Sequence, residues 1–359
     1  MSNTLNLYTK GRSHLYDLSL GLQDEPEFNK VITCWPKFKF KGLPKSKITS
    51  YFYIYFIQHL FSKYLDIEKP LLKFIFNNTN YSNRAIVDLN LAGNLQNKFD
   101  KLYLDHPTNS YFYQIEQWEF EEENTGVRIP RLHKLKKLYS KIEIEQVYHN
   151  ADKIIVPSIS SKNSFNAEYC DKLVYIPFWI PDMKLEKSVN KNVELTKIAF
   201  IGIICPSKGI HYLIDGLKKS DFRGTLHLFG AILNENYVKY LTERKGGVEL
   251  VFWGHISQDK LFQNIINMNL AIMPSVSEGL PLSYLQALSL GVPVIASKDS
   301  SLEEVIGAKY IYETKNSDDL AIKINDFITA NDYSFNSLKG DNSYTLENYI
   351  SEWKKLLHV

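Results

Sequence analysis

Two short stretches carry residue types and spacings suited to chemistry on a charged, hydroxyl-rich molecule. In Ser275-Val276-Ser277-Glu278-Gly279-Leu280-Pro281 one carboxylate, Glu278, stands just ahead of an apolar helix pattern that carries Gln286 and closes at Gly291-Val292-Pro293. Pro281 suits the first helical position, where its missing N–H is no loss, and Gly291 can take the left-handed conformation that ends a helix. Gly279 and Leu280 therefore lie at a helix N-terminus, whose free amides attract anions. Glu278 adds acceptors for hydroxyl groups. The second stretch, Phe200-Ile201-Gly202-Ile203-Ile204-Cys205-Pro206-Ser207-Lys208-Gly209, supplies a glycine and one cation, Lys208. A lysine so placed can stabilise a leaving group that gains negative charge.

The elements that must hold these residues alternate regularly. Strand-like segments run Lys197–Ile203, Thr225–Phe229, Val248–Phe252, Leu270–Met273, Pro293–Ala296 and Tyr310–Tyr312, with helix-like segments between them. Ser301 with Glu304 reads as a capping box, and Ser317-Asp318-Asp319 starts a further helix. Such alternation predicts a parallel sheet covered on both faces, with ligands bound beyond the carboxyl ends of its strands. Gly202, Gly230, Gly254 and Glu278 then share one rim.

The N-terminal half begins as strand Leu5–Thr9, the turn Lys10-Gly11-Arg12-Ser13-His14, and a helix with Leu15, Leu18 and Leu22. This corner is either a second anion site or a plain strand-to-helix turn. Lys101–Asp105 reads as a strand ending on His106-Pro107, and Ile154–Val156 as the last parallel strand of this half. A polar stretch, Met183–Lys197, suits a linker, and Asn342–Leu357 is an amphipathic terminal helix. With 359 residues, the chain exceeds one typical core. We expect two units, 1–180 and 195–340, with the 341–359 helix belonging to the first.

Composition narrows the function classes. Apolar content of 44% and charged content of 23% are those of a globular protein, and a net charge of +2 gives no reason to expect a nucleic-acid partner. Cys34, Cys170 and Cys205 are too far apart for a metal-ligand spacing and suit a reducing compartment. No apolar run reaches the ~18 residues of a bilayer span. A cytoplasmic protein is expected.

The first stretch resembles the donor-binding signature of the group-4 retaining glycosyltransferases of the GT-B fold (glycosyl transferases group 1): a Glu, seven residues, a second Glu, then Gly-x-Pro-Val-Ile-Ala. Glu278 matches the first Glu, whereas Gln286 stands at the second. The second stretch resembles the family's Gly-Arg…Lys-Gly segment. Gly202 and Lys208-Gly209 match, and Ile203 stands where the arginine would be. The resemblance implies an α/β protein of two Rossmann-like parallel-sheet domains facing a cleft, its C-terminal helix crossing back to the first domain. It implies transfer of a sugar from a nucleotide-diphosphate donor, UDP- or GDP-linked, to a glycan or lipid-linked acceptor, with no metal or other cofactor. His106, Lys208 and Glu278 would be catalytic. Gly11, Arg12, Gly202, Trp253, Gly279, Leu280 and Gln286 would hold the donor, with Trp253 at the base and Arg12 supplying the charge that Ile203 lacks. A second reading is a non-catalytic GT-B-like module that binds a nucleotide or a partner subunit.

Two further segments carry open alternatives. Trp35-Pro36-Lys37-Phe38-Lys39-Phe40-Lys41, continuing to Lys45 and Lys47, is either a solvated loop or a contact with an anionic bilayer at the inner face of the membrane. The following Tyr51–Ile57 run is a core helix or an interfacial one. The Glu116, Glu119, Glu121, Glu122, Glu123 run and the basic run from Arg128 to Lys141 read as solvated helix faces, the basic one alternatively as a contact for an anionic acceptor or lipid head group.

Overall fold

The computed structural model describes residues 4–9, 14–53, 56, 84–89, 99–138, 140–180, 195–330 and 342–358. They build two separate parallel sheets. The first contains β1 (Leu5–Thr9), β2 (Phe28–Thr33), β3 (Ile48–Ser50), β4 (Arg84–Asp88), β5 (Lys101–Asp105), β6 (Lys153–Val156) and β7 (Leu173–Tyr175), in the order β3-β2-β1-β4-β5-β6-β7. The second contains β8 (Lys197–Ile201), β9 (Thr225–Phe229), β10 (Glu249–Gly254), β11 (Leu270–Met273), β12 (Val294–Ser297) and β13 (Ile311–Tyr312), in the order β10-β9-β8-β11-β12-β13. Every residue of β1, β4, β11 and β12 is buried, as expected of parallel strands with helices on both faces.

Three local expectations need correction. β6 is not the last strand of its sheet, because the three-residue β7 pairs with it through Ile154↔Leu173 and Val156↔Tyr175. Three residues ending two positions before a proline leave little periodicity to detect. The helix after Glu278 starts at Leu282, with Pro281 preceding it. The Ser301–Glu304 capping box does not form. Ser301 instead adopts φ 63° and its hydroxyl donates to the Glu278 carbonyl at 2.7 Å, while Glu304 accepts from the Ile159 amide at 2.8 Å. Both side chains serve contacts distant in sequence, which outweigh the local cap.

The terminal helix, Leu346–Leu357, returns to the first sheet's helix His14–Leu22. Gly21 makes this possible: a β-carbon there would lie 2.6 Å from Ile350. Lys354 pairs with Glu25, the Arg84 guanidinium donates to the Leu357 carbonyl, and Tyr349, Trp353 and Leu357 are buried with Leu15, Leu18 and Leu22 in one core. That core continues into Met273, Leu285 and Leu288 of the second unit. Residues 183–194, most of the expected linker, lie outside the described residues, as do Gly11 and Arg12.

The helix Tyr111–Thr125 makes a second bridge. It starts at the Ser110 cap and stops at Gly126, which takes φ 65°. Its acidic run is not uniformly solvated, because Glu121 is fully buried against the second unit. The Tyr212 hydroxyl donates to Glu121 at 3.0 Å, and the His211 Nε2 lies 3.1 Å from its other oxygen. Trp118, Ile129, Leu132 and Val276 surround this contact with apolar surface.

Candidate active site at the sheet rims

The two motifs meet where β8 and β11 end. Gly209 takes φ +63°, and a β-carbon there would sit 2.0 Å from the Pro274 carbonyl oxygen, so only glycine lets the Lys208 turn press against the Ser275–Pro281 loop. The Val276 amide donates to the Ser207 carbonyl at 3.3 Å, stitching the two segments together. Lys208 and Glu278 consequently form an ion pair, each side chain less than one-fifth exposed. The Ser275 hydroxyl donates to the same Glu278 oxygen at 2.7 Å. The Glu278 backbone is held from β12's end, its amide donating to the Asp299 carbonyl at 3.0 Å.

Tyr284 anchors the helix behind this loop. Its hydroxyl donates to the Ile272 carbonyl at 2.7 Å and accepts from the Ile201 amide at 3.0 Å, joining the ends of β8 and β11. Burial pushes this phenol well above its ordinary range, so it remains a donor at any physiological pH. Gln286, two residues later, is half-buried, and among the described residues its side-chain amide makes no hydrogen bond. Gly202 and Ile203 are half-buried at the end of β8. Trp253 lies at the end of β10, 38% exposed, stacked on Phe229 at 5.3 Å between ring centroids, its indole N–H donating to His227 at 3.1 Å.

The first sheet closes on this rim from the opposite side. A β-carbon on Gly279 would lie 2.1 Å from the Pro107 carbonyl oxygen, so the loop after β5 rests directly on the Glu278-Gly279 turn. Asn109 donates to Ser277 at 3.0 Å, and Ser161 donates to the Gly279 carbonyl at 3.2 Å. His106 is fully buried. Its Nδ1 lies 2.8 Å from the Thr108 carbonyl and its Nε2 2.7 Å from the Tyr148 hydroxyl, so both nitrogens are engaged. Burial pushes this imidazole down to about 4, against the opposing pull of Thr108 and Asp105.

Lys208, Glu278 and Gly279 are thus brought together, with Leu280 buried beneath them. His106 shapes the loop that covers them without presenting a free nitrogen. Sequence reading missed Ser275, Asn109 and Asp299. Only the Ser275–Glu278 spacing of three was visible in the sequence; Asn109 lies 168 residues from Ser277. It also missed the His14–Asp105 pair, in which Nε2 lies 2.9 Å from both carboxylate oxygens. Burial lowers the His14 pKa, but Asp105, with Asp88 and Asp17 behind it, raises it on balance above its ordinary value.

The family model for glycosyl transferases group 1 matches residues 182–337, the whole of the Lys208–Glu278 rim. Over these residues the chain is similar to that family. Among curated glycosyl transferases, an uncharacterized glycosyltransferase of Methanocaldococcus jannaschii is 28% identical over 211 residues, 57% of this chain and 57% of its own length. The capsular polysaccharide biosynthesis glycosyltransferase CapM of Staphylococcus aureus is 28% identical over 221 residues, 57% of this chain and 54% of its own. The chain spans little more than half the length of these curated relatives. Among solved structures, Anabaena HepE in complex with UDP and glucose superposes with a TM-score of 0.66 at 14% identity, covering 99% of each chain. That likeness shows the GT-B fold: two Rossmann-like units facing a cleft.

Proposed function

We propose that this protein is a glycosyltransferase that moves a sugar from a nucleotide-diphosphate donor to a hydroxyl acceptor with retention of configuration, in surface polysaccharide or glycolipid synthesis. The observation that carries the reading is the Lys208–Glu278 pair at the adjoining ends of β8 and β11. A donor diphosphate takes Lys208 away from Glu278. Lys208 then stabilises the charge that grows on the leaving diphosphate, while the released Glu278 carboxylate accepts from donor-sugar hydroxyls. The Gly279-Leu280 turn ahead of the helix and the glycine at 202 face the phosphates, Gln286 holds one ribose hydroxyl, and Trp253 walls the base. The transition state is oxocarbenium-like, as in glycosidic cleavage generally. The departing diphosphate helps take the acceptor proton, and no metal is required.

Support for the donor class comes from HepE, solved with UDP and glucose, and for the biological setting from CapM, named for capsular polysaccharide biosynthesis. Arg12, outside the described residues, supplies the second cation. His106 acts through the Pro107–Asn109 loop that seats on Gly279. The acceptor is a glycan or a lipid-linked glycan, and the lysine-aromatic segment holds the enzyme at the inner face of a membrane. Among the described residues no helix is long and apolar enough to cross one.

Thermal unfolding with UDP, GDP, ADP and CMP, each with and without Mg²⁺, tests this. A nucleotide at 100 times its dissociation constant stabilises the fold by about 2.7 kcal/mol. A metal-independent shift with one diphosphate is expected, and Arg12→Ala should reduce it. The unpaired Gln286 amide and Ile203 favour a second reading, a binding module without transfer. A nucleotide shift with neither hydrolysis nor transfer of the matching sugar nucleotide would select it.

A further inference from the structure

A cavity of about 410 Å³ opens between the two units, walled by Asn109, Tyr113 and Asn163 of the first and Lys298, Asp299 and Glu304 of the second. Because β8, β11 and β12 are successive neighbours, this cavity lies on the opposite side of the Glu278 loop from Lys208. Its walls are continuous with that loop. Asp299 accepts from the Glu278 amide at 3.0 Å, Ser301 donates to the Glu278 carbonyl at 2.7 Å, and Asn109 donates to Ser277 at 3.0 Å.

The lining chemistry is selective. Its lysine, Lys298, is already 3.4 Å from Glu313, and carboxylates outnumber it, so a phosphate is repelled. Apolar side chains are too few for an acyl chain. Amides, hydroxyls and carboxylates instead offer donors and acceptors in a mixture that pyranose hydroxyls satisfy, each hydroxyl being both. The Tyr113 ring adds a flat apolar face for the C–H side of a sugar. Its hydroxyl, raised by burial and by Asp299, stays protonated as a donor. The volume falls in the ~300–1,000 Å³ range of small-ligand sites.

We propose that this cavity holds a pyranose of the acceptor glycan, beside the donor site and separated from it by the Glu278 loop. The inference rests on the transferase reading for the word acceptor, and on the cavity alone for the word pyranose.

Saturation-transfer NMR with methyl α- and β-glycosides of glucose, galactose, mannose and N-acetylglucosamine tests it, with and without the nucleotide that shifts unfolding. At least one glycoside should bind, and Tyr113→Ala and Glu303→Gln, both in the cavity wall, should each weaken it about tenfold or more while the nucleotide shift is kept. Asn163→Ala, on the exposed rim, is the control that folding cannot confound and should weaken binding several-fold. No glycoside binding to a wild-type protein that does bind nucleotide would overturn the inference. So would glycoside binding at wild-type strength in all three variants. Glycoside binding lost in the variants, from a protein that binds no nucleotide, would sink the donor-site reading and leave the cavity assignment standing.

Discussion

Glu121 and His211 meet at 3.1 Å in the contact between the two halves of the chain, one from the helix Tyr111–Thr125 and the other from the helix that follows Gly209, both almost wholly shielded from water. Lys315 stands 3.7 Å from the same carboxylate, and Tyr237 holds the other His211 nitrogen at 2.8 Å. This cluster fixes how the first unit's helix sits against the second, and so how the Pro107–Asn109 loop meets Gly279. Glu121→Ala, which strands the buried His211, should lower stability by about 3 kcal/mol, whereas Glu121→Gln keeps an acceptor and should cost less. Urea unfolding of both variants checks the order; equal costs would show that the contact is only packing.

The Lys208–Glu278 pair gives a prediction with opposite signs for binding and turnover. Glu278→Gln removes the competitor for Lys208, so nucleoside diphosphate should bind as tightly as before or several-fold tighter, while sugar transfer falls. Lys208→Ala should weaken nucleotide binding and reduce turnover on the order of 10²-fold. Titration calorimetry alongside initial rates separates the two. Parallel loss of nucleotide affinity in both variants would show that Glu278 itself touches the nucleotide.

Gln286→Glu should hold or tighten donor binding, because a carboxylate accepts from both ribose hydroxyls where an amide has one acceptor oxygen. The gain of one charged hydrogen bond is roughly 1.5–3 kcal/mol at most. Competition binding with the nucleoside and its 2′-deoxy form reads it directly, since only the ribose should feel the change.

His106 makes stability depend on pH. Its folded value of about 4 lies below the ordinary 6.5, so the unfolded chain binds the extra proton first. The stabilisation is therefore complete above pH 6.5 and is lost as pH falls towards 4, by roughly 3 kcal/mol for the full shift. His14 runs the other way: with its pKa raised by Asp105, its contribution is complete below 6.5 and fades as pH rises through the folded value. Subtracting the stability–pH curve of His106→Gln from that of the wild type should leave a slope confined to the range from 6.5 down to about 4. A flat difference would mean that the imidazole is solvated.

The lysine-aromatic segment divides under the fold. Lys47 is spent on the Gln23 and Phe28 carbonyls at 2.8 and 2.9 Å, and Phe40 and Leu43 are buried. Trp35, Phe38, Tyr53 and Phe56 are exposed, with Lys37, Lys39, Lys41 and Lys45 beside the first two. Replacing those four lysines by alanine should weaken binding to vesicles containing phosphatidylserine by up to about 1 kcal/mol per charge, and high salt should mimic it. Sedimentation with vesicles measures both.

The sequence by itself determined the parallel second sheet, its strand ends within two or three residues, and the pairing of a glycine turn with Lys208 and of a carboxylate with Gly279. Each is a local matter: alternation of apolar runs with helix patterns sets a parallel sheet, and turn residues set where the side chains of its rim emerge. Tertiary structure alone decided that Glu278 is held by Lys208, Ser275 and Asp299 together, that both His106 nitrogens are occupied, and that Glu121 leaves its acidic run to be buried. It also turned Ser301 and Glu304 from a helix cap into two separate ties. Several of those outcomes depend on partners distant in the chain, such as Lys208, 70 residues from Glu278, and Ile159, 145 residues from Glu304. Burial and distant charge choose among the hydrogen bonds that a polar side chain could make, and neither is written in the spacing of its neighbours.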